Sequence, residues 1–194
     1  TGETAPTIHP PSTWSLVSLP WMSTGYEVQL SPLQILTFYN AIANNGKMMK
    51  PYLVSAIKEL DKTVEEFGPV IIDKEIVSPT TVGQLQELLE AVFEFGSAKH
   101  LKSNGQLKMA GKTGTARIAN ETIGYQDRVY QASFAGYFPA EQPLYSCIVV
   151  INNPKNGYYS GSVAGPVFAE IANKIYANGI EMHNSIQEHP LVTE

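Results

Sequence analysis

A single cysteine, Cys147, leaves no partner for an internal disulfide, so the chain holds itself together without a covalent cross-link. The thiol sits inside an apolar segment and reads as buried. Charge is also scarce. Only 16% of residues are charged, and 13 basic against 18 acidic side chains give a net charge of −5 with no run of one sign. Phosphate backbones are bound by a basic face, so nucleic acid is not an expected partner. The longest uninterrupted apolar run, Cys147 to Ile151, falls far short of the roughly 20 residues that cross a bilayer. No signal peptide is visible. His9, His100, His183 and His189 lack partners at metal-ligand spacing, so neither a metal nor another cofactor is expected. With 43% hydrophobic residues, the 194-residue chain has material for one globular core.

The chain divides by composition. Residues 1–30 carry Pro6, Pro10, Pro11 and Pro20 and read as an irregular segment anchored by Trp14 and Trp21. Residues 31–105 mix helices and short strands. Ser31-Pro32 is a cap followed by proline in the first helical turn, and Asn45-Gly46 is a stop. Leu33, Ile35, Leu36, Phe38, Tyr39 and Ile42 cover more than one face of that helix, which predicts deep burial. Lys50 to Leu60 reads as a strand, Asp61 to Gly68 as a charged turn, and Val70-Ile71-Ile72 as a short strand. Ser78-Pro79 opens a second helix with Leu85, Leu88, Leu89 and Val92 on one stripe, followed by a polar connection from Ser97 to Gly105. Residues 106–152 read as an antiparallel strand meander with a polar loop from Ala119 to Arg128. Its last strand, Leu144 to Asn152, is apolar on both faces and predicts burial on both sides. A closing helix spans residues 163–177 and stops near Asn178-Gly179, leaving residues 181–194 as a tail. The fold class is α+β.

The chemistry concentrates in Met109 to Arg117. On a strand, Lys112 and Gly114 share one face while Thr113 and Thr115 share the other. Gly111 and Gly114 are expected to leave backbone uncovered for another molecule. A bare strand edge, a cation and hydroxyl donors suit an extended, amide-rich ligand that carries a carboxylate. A second motif, Ser55-Ala56-Ile57-Lys58, is a literal Ser-x-x-Lys, which brings hydroxyl and amine together on a helical turn. On a strand the same spacing puts them on opposite faces, so Ser55 is not read as a nucleophile.

Lys112-Thr113-Gly114 matches the third element of penicillin-binding protein and class A β-lactamase sites. Further segments fall in the same order: Gly25-Tyr26 through Gln34, Asn45-Gly46 through Pro51, Ala110 to Arg117, Ser133 to Ala140, Val149 to Pro154 and Ala164 to Phe168. Together they are spread along nearly all of residues 25–177. The chain resembles the C-terminal portion of the transpeptidase domain of class B penicillin-binding proteins, most closely the division-type (septal) enzymes. The resemblance implies a partial penicillin-binding/β-lactamase-like fold, with an antiparallel meander carrying Lys-Thr-Gly between flanking helices. It implies serine acyl transfer on peptidoglycan stem peptides ending in D-Ala-D-Ala, inhibition by β-lactam antibiotics, and association with division-machinery proteins. It also implies an extracytoplasmic domain anchored to the cytoplasmic membrane. Carried onto this sequence, Lys112 supplies positive charge, Thr113, Gly114 and Thr115 line the substrate, and the Thr115 backbone N–H is an oxyanion donor.

One departure matters. The family's nucleophilic Ser-x-x-Lys and its Ser-x-Asn lie upstream of these segments, and no Ser-x-Asn occurs in this chain. The chain is therefore expected to be a fragment, inactive alone, with an uncovered edge on the Leu144–Asn152 strand. A second copy or a rearranged segment is expected to cover that edge. Tyr176-Ala177-Asn178 reads as packing and a helix stop. Alternative readings are part of a β-lactamase or D,D-carboxypeptidase, a β-lactam-sensing or non-catalytic binding module, and an unrelated α+β interaction domain.

Overall fold

The computed structural model describes residues 3–102, 107–118 and 129–188. β1 (Thr7–Ile8) pairs antiparallel with β2 (Val28–Gln29), and α1 (Ser18–Ser23) lies in the loop between them. The proline-rich start is thus more ordered than its composition suggests, although its tryptophans anchor only local structure. Trp14 Nε1 donates to the His9 carbonyl at 2.8 Å, and Trp21 tilts against Tyr26 with ring centroids 5.9 Å apart.

α2 (Pro32–Ala43) starts as the sequence predicts. Ser31 Oγ accepts from the Gln34 N–H at 3.2 Å, and Gln34 Oε1 accepts from the Ser31 N–H at 2.9 Å. This reciprocal capping box satisfies two helix-end donors. Asn45 and Gly46, at φ 53° and 86°, close the helix. Its burial is shallower than expected: Ala41, Ile42 and Ala43 are buried, whereas Leu33 and Phe38 are 41% and 46% exposed. One side meets the sheet, and much of the remaining apolar surface stays open.

The next segment corrects two expectations. β3 (Met48–Met49) is followed by a hairpin of β4 (Ala56–Glu59) and β5 (Lys62–Glu66), then by β6 (Ile71–Asp73), which pairs with β3. Residues 50–55 form no strand: Pro51 offers no donor, and the Lys50 N–H goes to the Val70 carbonyl at 2.8 Å. The supposed charged turn is mostly β5, because the reversal is confined to Leu60 (φ 51°) and Asp61. Lys58 lies on β4 and Ser55 immediately precedes it, so the pair is not on a helical turn.

α3 (Pro79–Glu94) is capped by Ser78, whose Oγ accepts from the Thr81 N–H at 3.3 Å. Its buried seam runs through Val82, Leu89 and Phe93. That rotation leaves Leu88 65% exposed, outside the predicted stripe. β7 (Ala110–Arg117), β8 (Tyr130–Phe138) and β9 (Tyr145–Asn152) form the expected antiparallel meander in the order β7-β8-β9. Its first strand begins at Ala110, and the described residues before it, 107–109, are not strand. The predicted loop at Ala119 to Arg128, part of the Ser97–Gly105 connection and residues 189–194 lie outside the described residues. α4 (Ser160–Glu188) starts before the predicted closing helix and continues through Asn178-Gly179. One glycine costs a helix about 1 kcal/mol relative to alanine, too little to stop one already anchored in a core. Residues 181–188 are therefore helix and not loose tail.

Alternation along β8 divides the core. Ala132, Phe134 and Phe138 pack with Phe93, Ala98, Ala164, Phe168 and Ala172 on the α4 side. Phe134 is fully buried, with ring centroids 4.7 Å from Phe168 and 5.5 Å from Phe93. On the opposite face Tyr137 and Ala110 meet Ile42, Ala43 and Leu89. β9 contacts both α2 and α4, and Asn40 Nδ2 donates to Ser146 Oγ at 3.2 Å. Even so, its interior side chains are only half-buried, Cys147 among them, whose thiol pKa is pushed up by that burial. Among the described residues no strand pairs with the outer edge of β9, so no rearranged strand covers it.

Candidate active-site strand

Among the described residues β7 is the other edge of the sheet. Its pairing with β8 is continuous, from Ala110 opposite Tyr137 to Arg117 opposite Tyr130. The Ile118 N–H points inward to the Val129 carbonyl at 2.8 Å, and the Arg117 N–H points outward to the Tyr26 hydroxyl at 3.4 Å. Backbone direction alternates along a strand. Counting back in twos, the N–H groups of Thr115 and Thr113 face the open edge. Lys112 bears out the direction: its exposed ammonium donates to the outward Thr113 carbonyl at 3.0 Å and reaches Thr113 Oγ1 at 3.4 Å.

Side chains alternate as predicted, with Thr113 and Thr115 on the face that carries α4. Each hydroxyl has an internal partner there. Thr113 Oγ1 lies 3.0 Å from Ser97 Oγ, just beyond α3, and Thr115 Oγ1 lies 2.7 Å from Ser160 Oγ at the start of α4. The Ser160 hydroxyl donates to the Gly114 carbonyl, so Thr115 donates its proton to Ser160 Oγ, which also accepts from the Ser133 N–H at 3.3 Å. In return the Ser160 N–H donates to Thr115 Oγ1 at 3.2 Å. Thr115 thus caps the first turn of α4, where helix N–H groups lack intrahelical partners. Its side chain serves the helix while its backbone N–H faces outward.

The glycines have a different role from the expected one. A Cβ on Gly111 would stand 2.7 Å from the Ala135 carbonyl oxygen, and one on Gly114 would stand 2.6 Å from Ser133 Oγ. They permit close approach to β8, so the open surface is the strand's outer edge. At the far end of β7 an aromatic ladder stands beside Arg117. Tyr130 stacks on Tyr158 at 4.3 Å, and Tyr158 meets Tyr159 at 4.4 Å.

The sequence singled out Lys112 through Thr115 as candidates but not Ser97 and Ser160, which the structure brings against them. Ser160 carried a weak signal as a small hydroxyl residue before the closing helix. Ser97 carried none, because only the fold brings the end of α3 onto β7.

This geometry defines a strand-edge site for an extended backbone, with outward amides and a cation at hand. The comparisons give the class a family. Residues 3–173 match the penicillin binding protein transpeptidase domain, and the chain belongs to that family. It is 31% identical over 172 residues to the probable peptidoglycan D,D-transpeptidase PenA of Neisseria flavescens, covering 88% of this chain and 40% of the relative. It is also 31% identical over 163 residues to the peptidoglycan D,D-transpeptidase FtsI of Buchnera aphidicola, covering 84% and 27%. Penicillin binding protein 3 of Mycobacterium tuberculosis, crystallised with aztreonam, superposes with a TM-score of 0.80 at 29% identity, covering 92% of this chain and 42% of that one. The chain therefore spans less than half the length of each of these proteins. No described helix is long and apolar enough to cross a membrane.

Proposed function

We propose that this chain is the distal, cleft-forming part of a serine-type peptidoglycan D,D-transpeptidase used in septal cross-linking. The observation that carries the reading is the open edge of β7, where the Thr115 N–H points outward beside the Lys112 ammonium. A stem peptide ending in D-Ala-D-Ala lies along that edge as an added strand, and a β-lactam takes the same place. Thr113, and Lys112 through its charge, meet the terminal carboxylate. The Thr115 N–H stabilises the oxyanion as the serine attacks the penultimate D-Ala carbonyl. D-Ala leaves with the proton taken from the nucleophile, and an amine of a second stem peptide then resolves the ester. Because Ser55-x-x-Lys58 is extended, the nucleophile comes from a part of the polypeptide outside these residues.

The same reading places the longer protein in the envelope, its domain outside the cytoplasmic membrane and anchored to it, among division-machinery proteins. A further strand of that protein pairs with the outer edge of β9. In the isolated 194-residue chain that edge is left to a second copy.

Fluorescent penicillin tests the assignment. The full-length product of the gene takes the label covalently, whereas the 194-residue chain alone does not. Lys112→Ala in the full-length protein lowers the labelling rate by roughly a hundredfold, the scale of losing one electrostatic stabiliser. Label on a serine of the isolated chain, or full-length protein that never labels, overturns the reading.

A further inference from the structure

Thr113 does not set its own hydroxyl. Its Oγ1 lies within reach of the Lys112 ammonium at 3.4 Å and of Ser97 Oγ at 3.0 Å. The ammonium can only donate, and a hydroxyl has one proton and two acceptor positions. If Ser97 also donates, both acceptor positions of Thr113 are filled, and its single proton points to whatever occupies the open edge. An anionic ligand needs that arrangement.

The backbone around Ser97 is built to hold it still. The Ala98 N–H donates to the Val92 carbonyl at 3.1 Å and the Leu101 N–H to the Ala98 carbonyl at 2.9 Å, while Ala98 itself is fully buried. His100 Nε2 lies 2.9 Å from the Gly161 carbonyl oxygen, tying the same turn to the start of α4. Ser97 is exposed and its hydroxyl has no part in the core, so this rigidity serves where the hydroxyl points.

We propose that Ser97 is a positioning residue for carboxylate recognition: it donates to Thr113 Oγ1 and thereby turns the Thr113 proton toward the ligand's carboxylate. The inference rests on the function proposed above and adds a residue that no strand motif contains. No bond to Ser97 forms or breaks in the reaction.

The test uses the full-length protein with Ser97→Ala and Ser97→Thr, acylated by benzylpenicillin and by its methyl ester, which masks the carboxylate. Ser97→Ala should weaken the pre-acylation complex with the acid by roughly three- to tenfold, the scale of one net hydrogen bond. The acylation step itself should not slow. The ester should react with wild type and Ser97→Ala alike, and Ser97→Thr should restore the acid. Equal rates of wild type and Ser97→Ala with the acid, or equal losses with acid and ester, overturn the proposal. Failure of the wild type to react at all would instead refute the transpeptidase reading, and this proposal with it.

Discussion

Replacing Ser160 by alanine probes how firmly β7 is bolted to α4. Ser160 is 1% exposed, and its hydroxyl contacts the Gly114 carbonyl, the Ser133 N–H and Thr115 Oγ1. Alanine removes all of these bonds, but not all are lost equally. The Gly114 carbonyl keeps a donor in Ser133 Oγ at 3.2 Å, and the exposed Thr115 hydroxyl can turn to water. The Ser133 N–H, directly opposite Gly114 in the ladder, keeps that carbonyl as its partner, so the cost is that of net hydrogen bonds lost and not of a stranded donor, about 1–2 kcal/mol. For a chain of this size that lowers Tm by roughly 2–8 °C. Ser162→Ala, one turn position away on the exposed side of α4, should be near neutral. Urea unfolding and thermal melts of the two variants decide the matter. A Ser160→Ala loss under about 0.5 kcal/mol, or an equal loss in Ser162→Ala, refutes the reasoning, since ordinary surface substitutions stay within that range.

Tyr137, buried against α2 and near Glu90, has its hydroxyl pKa pushed up to about 12, chiefly by desolvation. The unfolded chain loses this proton near pH 10 while the folded chain keeps it, so stability present below pH 10 is lost as pH rises toward 12. Denaturation midpoints across that range should fall less steeply in Tyr137→Phe, and parallel slopes in the two proteins would refute this. The unpaired β9 edge should make the isolated chain self-associate. Sedimentation should show a concentration-dependent dimer that Val150→Pro abolishes, and a monomer at every concentration counts against it.

Legibility in the sequence followed how local the controlling physics was. Ser31, Ser78, Asn45 and Gly46 act through neighbours within a few residues, so the ends they mark were readable. The meander was readable too, because the Lys-Thr-Gly segment and two apolar runs follow one another, separated by a polar loop and a turn. Of the β4–β5 hairpin only β4 was readable, inside the predicted Lys50–Leu60 strand; β5 was not, since it is polar, exposed along its length and carries no apolar period. Burial was misjudged for α2, Leu88 and Cys147, where helix rotation and the extent of the sheet decide exposure. At the site, Lys112 to Thr115 announce themselves as a contiguous string. Their hydroxyl partners lie 16 and 45 positions away in the chain, which no local pattern records.

Thr115 divides its labour between two kinds of atom. The side chain fastens a helix, and the amide in front of it is free for a visitor. The two duties can therefore be separated by substitution: serine keeps both, whereas valine should loosen the molecule without erasing the amide. A tolerance map of position 115 would then show most substitutions limited by folding, and proline alone limited by the lost amide as well, since every other residue carries the same N–H.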